Sequence, residues 1–497
     1  MIESSKFAQE YFVIFLSILI VVIGVLLFSN NTFFPIWFSS LIYIATTIYL
    51  ILCFFQSKIG IIFLAFWAFF ILPFIHILPY NWFDFSKDFP FIMWGLVAND
   101  YMRDQQIIEL VGMIGAIASI GFLFSSSLTT KRLSISGPYT SKNKFRSMNI
   151  FTWSLWLFAG FIAAYLTAPS SDIFTGSYSE GISTASDNSG LDSLLLMGHL
   201  VLIFCFADLM FDQRLNRRKL KLLLFLLTTI YIVFFLQFLR GNREIIPLIF
   251  AFFVSYYYFG SRLKDLMIQI PSSLKIFISI VFLFFVSFLI GIYRSQVAGV
   301  SSISELLFVA SEVSSYASDG SEGTIFNIDN LIAGTWSSSL LTVLSVSGDY
   351  VIVIEDGSYK FRYGQDYLNL FLSMPPGFIA DIIGYDRPND LVNPASQMIY
   401  GLGGIHLSVY PFINFGITGV FLIIAGICFF VQRVERRISR NMNFLKFAVI
   451  TSAIYIMPGW IWYTEKELYN LIIYFFIFFI LYNLSIEFSK FFSSRIL

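Results

Sequence analysis

The chain is short of charge, of cysteine and of histidine. Only 12% of its 497 residues are Asp, Glu, Lys or Arg, against about 25% in a soluble domain. So little charge cannot cover a water-facing surface of this size, which excludes an ordinary soluble globule. The three cysteines, Cys53, Cys205 and Cys428, lie far apart in apolar runs. That spacing excludes a disulfide framework and a thiolate metal site, and they read as small buried hydrophobes. There is no Walker-type phosphate loop, no dinucleotide glycine fingerprint after a strand, and no HExxH or paired-Cys spacing. Nucleotide-driven coupling and zinc hydrolysis therefore lack support, and no metal or cofactor is expected. Basic and acidic residues number 31 each, so global charge points to no nucleic-acid partner.

What the chain has in abundance is apolar surface: 57% of residues are hydrophobic and 19% aromatic. They come in runs of about 17–24 residues, the length that crosses a hydrocarbon core of ~30 Å. The pattern predicts an all-α polytopic membrane protein with about twelve transmembrane helices, at 11–28, 33–55, 59–78, 106–125, 150–167, 193–212, 222–239, 245–260, 276–293, 412–431, 445–463 and 468–487. Residues 1–293 then carry spans one to nine and residues 412–497 carry spans ten to twelve. A large extracytoplasmic loop, 294–411, separates them. The first run has no small-residue cleavage site after it and reads as a retained span.

Orientation follows from the basic residues. With the N-terminus in the cytosol, 22 of the 31 fall in inner segments, and every inner loop carries at least one. The outer segments hold Lys87, Arg103, Arg240, Arg243, Arg294, Lys360, Arg362, Arg387 and Lys466. Both termini are thus expected to be cytoplasmic. Few ionisable residues fall within the spans, and the exceptions gather at their outer ends, which argues against a proton-relay transporter.

The stretch "QFLRGNREIIPL" (237–248) is the sharpest of these. The runs on either side are ~24–27 Å long as helices, so the connection must turn tightly near the membrane face. Gly241 suits the left-handed position ending one helix, and Asn242 suits the N-cap of the next. Arg240 and Arg243 then flank a helix N-terminus, an arrangement that binds anions. The same residues also fit snorkelling to lipid headgroups, or an ion pair with Glu244. Arg294 ends its span on the same side, and Lys360, Arg362 and Arg387 extend the cationic patch into the large loop.

That loop also carries "SYKFRYGQDYLNLFLSMPPGF" and ends in "GLGGIHLSVYPFINFGITG". The segments "SISELLFVASEVSSYA" and "DYLNLFLSM" are expected to form amphipathic helices on the membrane surface. Tyr363 and Tyr367 offer ring faces on which sugars can stack, and Asp366 offers acceptors for sugar hydroxyls. An aromatic belt with solvated acids reads equally from the same residues. All three histidines (His76, His199, His406) fall at expected outer span ends. His406, in the glycine-rich return to the membrane, is the candidate for proton transfer, and an interfacial structural histidine is the alternative.

Taken together, "LRGNREIIPLIF", "YGQDYLNLFLSMPPGF" and the closing "GLGGIHLSVYPFINFGITG" resemble motifs of the Wzy-type O-antigen polymerases. The resemblance covers mainly residues 237–250, 291–296 and 359–418. Where related sequences often carry an acidic residue ahead of the aromatic in the last motif, this chain has "SVYPF". The resemblance implies a GT-C-like, metal-independent glycosyltransferase of the bacterial inner membrane. Such an enzyme moves a growing glycan from undecaprenyl pyrophosphate onto a new lipid-linked repeat unit. Arg240, Arg243 and Arg294 would stabilise the leaving pyrophosphate, with His406 in the reacting centre. Asn242, Glu244, Arg362, Tyr363, Asp366, Tyr367 and Arg387 would line the substrate site. The partners implied are the undecaprenyl-pyrophosphate-linked oligosaccharide, membrane lipid and a chain-length-regulating co-polymerase. A ligase acting on the same carrier, and a flippase for lipid-linked oligosaccharide, are the competing readings.

Overall fold

In the computed structural model, residues 2–74, 77–78, 105–128, 147–166, 191–212, 215–232, 245–260, 361–372, 383–385, 406–439, 443–462 and 465–496 are described. The elements found there are helices: α1 (Ile2–Ser29), α2 (Ile36–Phe55), α3 (Ile61–Ile71), α4 (Gln105–Ser127), α5 (Ile150–Leu166), α6 (Leu191–Phe211), α7 (Leu215–Ile230), α8 (Ile245–Gly260), α9 (Gln365–Leu372), α10 (Val409–Ser439), α11 (Phe444–Trp462) and α12 (Glu465–Ile496). Among the described residues, seven stretches are long and apolar enough to cross a membrane. They are Tyr11–Ser29, Ile36–Phe55, Ile108–Ser127, Leu194–Phe211, Val409–Ser439, Phe444–Trp462 and Leu468–Ser489. The chain is a polytopic membrane protein, all-helical among the described residues.

The twelve helices do not coincide with the twelve expected spans. Residues 276–293 lie outside the described residues, as does the expected amphipathic segment at 302–317. Helix α9 overlaps the other expected amphipathic segment, 366–374, and is no span. The run 59–78 contains a helix of only 11 residues, about 16 Å long. Pro73, two residues past its end, cannot continue it. Helix α10 is longer than expected, at 31 residues, or about 46 Å.

The chain divides into two compact units. The first comprises Met1–Ser136, Trp336–Arg440 and Met457–Tyr469, and α4 is its core. Leu110, Met113, Ile114, Ala116, Ile117, Ala118, Ile120 and Phe122 are all fully buried. Around α4, α2 buries Ser39, Ser40, Tyr43, Thr46 and Cys53 while exposing Trp37, Leu41, Ile44, Ile48 and Leu52. This polar-inside arrangement is what a lipid solvent permits: tails solvate Leu and Ile, and small or hydrogen-bonding residues make the helix contacts. Tyr43 donates its hydroxyl to Gly112 O at 2.6 Å. On another side of α4, a Cβ placed at Gly121 would lie 3.1 Å from Ala425 N, so α4 and α10 approach backbone to backbone.

Helix α3 lies antiparallel to α10 and is held at both ends. At its start, the Glu435 carboxyl accepts the N–H groups of Ile62 (2.7 Å) and Phe63 (3.2 Å). Arg436 donates to Lys58 O at 2.9 Å. At its finish, Trp462 Nε1 donates to Phe69 O (2.8 Å), and Phe70 O meets the ring of His406. A helix this short cannot cross an apolar layer, and an end left inside it needs a partner for each orphan N–H or C=O.

The second unit comprises Gly137–Thr335, Asn441–Ile456 and Asn470–Leu497, and its core helix is α6. Helices α5 and α6 run antiparallel and close, Gly160 packing against Gly198 and Val201. Phe204 of α6 stacks near Phe444, Phe475, Phe478 and Tyr482. Where α6 ends, Lys221 is completely buried, 2.8 Å from Asp208 and 2.9 Å from Asp212. Its ammonium also reaches Ser147 Oγ at 3.3 Å. The second oxygen of Asp208 accepts the Tyr482 hydroxyl (2.7 Å) and Met148 N–H (3.4 Å). Arg218 caps the end of α6 through Leu209 O and Met210 O. The reading of the sequence placed the notable charges at outer span ends. Of these buried groups, Asp208 and Asp212 lie instead within the expected span 193–212, near the end assigned to the cytosol, and Lys221 and Arg218 lie in the inner segment that follows it.

Two outcomes follow for stability, both measurable as thermal unfolding of the full chain in detergent. Lys221→Met leaves Asp208 and Asp212 buried without their cation and is expected to cost about 3–5 kcal/mol. A melting temperature equal to the wild type would contradict the described network. Gly60→Ala would drive its Cβ into Glu435 Oε1, displacing the carboxyl from the start of α3. The expected loss is about 1–3 kcal/mol, with Glu435→Ala no worse in the Gly60→Ala background than alone.

Candidate functional site

Helix α10 is interrupted at Gly416, whose φ of 67° and ψ of −162° are not helical. Only glycine takes that conformation without large strain. The interruption falls in the turn where Ile413 O and Asn414 O would serve residues 417 and 418. Both carbonyls are taken up by the segment ahead of α9 instead. Arg362 N–H donates to Ile413 O (3.2 Å) and Tyr363 N–H to Asn414 O (3.0 Å). The Phe361 ring lies beside Gly416, 3.5 Å from where a Cβ would stand.

The loop then reverses direction. Tyr363 (φ 49°) and Gly364 (φ 85°) are both left-handed, and Gln365 N–H closes the turn on Arg362 O at 3.0 Å. This is a tight turn of the type I′ class, for which glycine at the second central position is well suited. Helix α9 starts directly after it.

Asn414, fully buried, ties these pieces together. Its Oδ1 accepts Gly364 N–H at 3.1 Å. Its Nδ2 donates to Asp366 Oδ2 at 3.2 Å and to Tyr410 O at 3.0 Å. The other oxygen of Asp366 is in an ion pair with Arg362. Burial pushes the Asp366 carboxyl above the usual carboxylate range, and the Arg362 guanidinium and the Asn414 amide pull it back. Tyr367 packs edge-on to Tyr410 and parallel to Phe415. Tyr363 alone of this group stands out, with 80% of its surface exposed.

Four of the expected substrate residues (Arg362, Tyr363, Asp366 and Tyr367) are thus gathered over the break in α10. Asp366 is 3% exposed, and its two oxygens are engaged by Arg362 and Asn414. Tyr363 is the ring open to a ligand. Arg240, Asn242, Arg243, Glu244, Arg294 and Arg387 lie outside the described residues, as does His76.

His406 is described, and it is an interior ring. It is fully buried, set edge-on against Phe70 and Phe74 at 4.7 and 4.6 Å between centroids. A carbonyl can only accept, so Nε2–H donates to Phe70 O at 3.0 Å. Nδ1 then accepts from Ser408, whose N–H lies at 3.2 Å and Oγ at 2.7 Å. Burial lowers the imidazole to about 3, so at neutral pH it is uncharged with both nitrogens occupied. The geometry fits the interfacial structural alternative more closely than the proton-transfer one. His199 is likewise buried in α6, with Nδ1 against the Tyr455 hydroxyl.

Asn414 and Glu435 were not singled out in the sequence. Their signals were there: an asparagine in the apolar "VYPFINFGITG", and a glutamate between arginines in "QRVERR".

A pH dependence follows from His406. The unfolded imidazole takes up a proton as pH falls below about 6.5, while the folded one stays neutral down to about 3. The unfolded state then binds more protons, so this group removes stability as pH drops from 7 towards 4. His406→Gln is expected to flatten that part of the melting-temperature profile of the full chain in detergent. An unchanged slope would show that His406 does not titrate on unfolding.

Compared with known proteins, the chain matches no family model, no curated protein and no solved structure.

Proposed function

We propose that the protein is a membrane polymerase of lipid-linked oligosaccharide repeat units. It transfers a growing glycan from undecaprenyl pyrophosphate to the next repeat unit at the outer face of the bacterial inner membrane, with both termini in the cytoplasm. The observation that carries the reading is the meeting of two of the three motifs on which the resemblance rests. Gly364 of "YGQDYLNLFL" and Asn414 of "VYPFINFGITG" stand 50 positions apart in the chain, yet they are hydrogen-bonded directly. Motifs that act on one substrate need to share one place, and these do.

The chemistry has two requirements. The leaving group is a pyrophosphate, which gains charge as the glycosidic bond breaks, and fixed cations aimed at it lower the barrier. Arg240, Arg243 and Arg294 supply them in this proposal. The acceptor sugar needs a surface that orients it without holding it tightly, and the exposed Tyr363 ring supplies that. Arg362, largely buried in its pair with Asp366, gives the turn a fixed shape. No nucleotide sugar is required, because the donor is already activated on its lipid.

Arg240→Ala and Arg294→Ala are each expected to abolish polymer while single lipid-linked units accumulate and the protein still inserts. A normal polymer ladder from both variants defeats the proposal. Loss of ligated polymer with long chains retained on the carrier lipid would instead identify a ligase. Chain extension by purified protein in detergent, where there is no sealed compartment, separates an enzyme from a flippase.

A further inference from the structure

We infer that Asn414 is a positioning residue that locks the Arg362–Asp366 turn into the break of α10, and that the transfer reaction needs this lock. The inference rests on the polymerase reading for what the turn is positioned to do. The lock itself rests on geometry alone.

Asn414 uses three of its groups at once. Its backbone carbonyl takes Tyr363 N–H, its amide oxygen takes Gly364 N–H, and its amide nitrogen reaches Asp366. One side chain thereby joins the tight turn to the first turn of α9. Its amide must face one way, since Gly364 N–H needs an acceptor and the Asp366 carboxylate needs a donor. Asparagine satisfies both. Aspartate in its place would keep the bond to Gly364 and set two carboxyl groups against each other.

The break and the turn also depend on one another. Without Gly416 the carbonyls of residues 413 and 414 would return to helical bonding, and the N–H groups of Arg362 and Tyr363 would lose their acceptors. Without the turn, those carbonyls would be left bare in an apolar setting. Asn414 sits where the two arrangements join, so it governs whether Tyr363 is held in place or swings free.

Exchanging the two partners tests this. The full chain in detergent is compared as wild type, Asn414→Asp, Asp366→Asn and the double variant. Hydrogen exchange is followed on a peptide covering residues 361–366. Chain extension is followed with undecaprenyl-pyrophosphate-linked repeat units isolated from the native membranes. In Asn414→Asp, exchange at 362–364 is expected to accelerate by about tenfold or more, with a comparable loss of chain extension. In the double variant the donor and acceptor between 414 and 366 trade places, and the amide oxygen introduced at position 366 can still accept from Arg362, while Tyr410 O loses its side-chain donor, so both properties are expected to recover in part. Unchanged exchange in α4 and α6 reports that the fold is intact.

Wild-type exchange rates in Asn414→Asp overturn the lock. A double variant as open as Asn414→Asp, with α4 and α6 still protected, overturns it too, because a merely disruptive substitution would not be rescued by a second. Failure of the wild-type protein to extend chains overturns the polymerase reading and the positioning role with it, while the exchange data still judge the lock.

Discussion

A backbone carbonyl or N–H inside an apolar layer has no water to turn to, and this constraint organises the polar residues of the protein. Unbroken helices meet it by themselves. Wherever a helix stops early or breaks, a side chain or a neighbouring segment fills the gap. Glu435 serves the start of α3, and Trp462 and His406 serve its finish. Arg218 serves the end of α6. Asn149 serves the start of α5, its Oδ1 accepting Thr152 N–H at 2.7 Å. Arg362 and Tyr363 serve the break in α10. In a chain with so little charge, much of what is buried goes to this task.

This changes how a polar residue in such a sequence should be weighed. An asparagine or histidine in an apolar run invites a catalytic reading, because charge and polarity are costly there. The same cost is met when the residue completes an interrupted helix. His406 shows the second case: one nitrogen completes α3 and the other is taken by its own neighbour, Ser408. Asp366 shows it again, since a carboxyl that looks like a sugar ligand in "YGQDYLNL" is already held by Arg362 and Asn414.

The apolar runs made most of the helices legible in the sequence, because length and hydropathy are local properties. Helix ends were less legible. The run 59–78 looked continuous, and Pro73 was the signal that it was not. Helix α10 looked like one span from 412 to 431, and only the positive φ of Gly416 separates its two parts. The candidate site was half legible. Arg362, Tyr363, Asp366 and Tyr367 belong to a short motif that can be read in place. Asn414 belongs to another segment, and its relevance depends on a contact that no local pattern carries. The arginines on which the chemistry of the proposal turns were drawn from sequence alone.

The carboxyl that completes α3 comes from a residue 373 positions further along the chain. During synthesis, the short helix therefore leaves the ribosome long before its cap exists. Its first N–H groups must find temporary partners among lipid headgroups, water or the insertion machinery until α10 has been made. The break in α10 has the opposite history, because Arg362 and Tyr363 precede it and are already on hand when it emerges. Biogenesis of this protein thus has one joint that waits for α10 and one that can close at once.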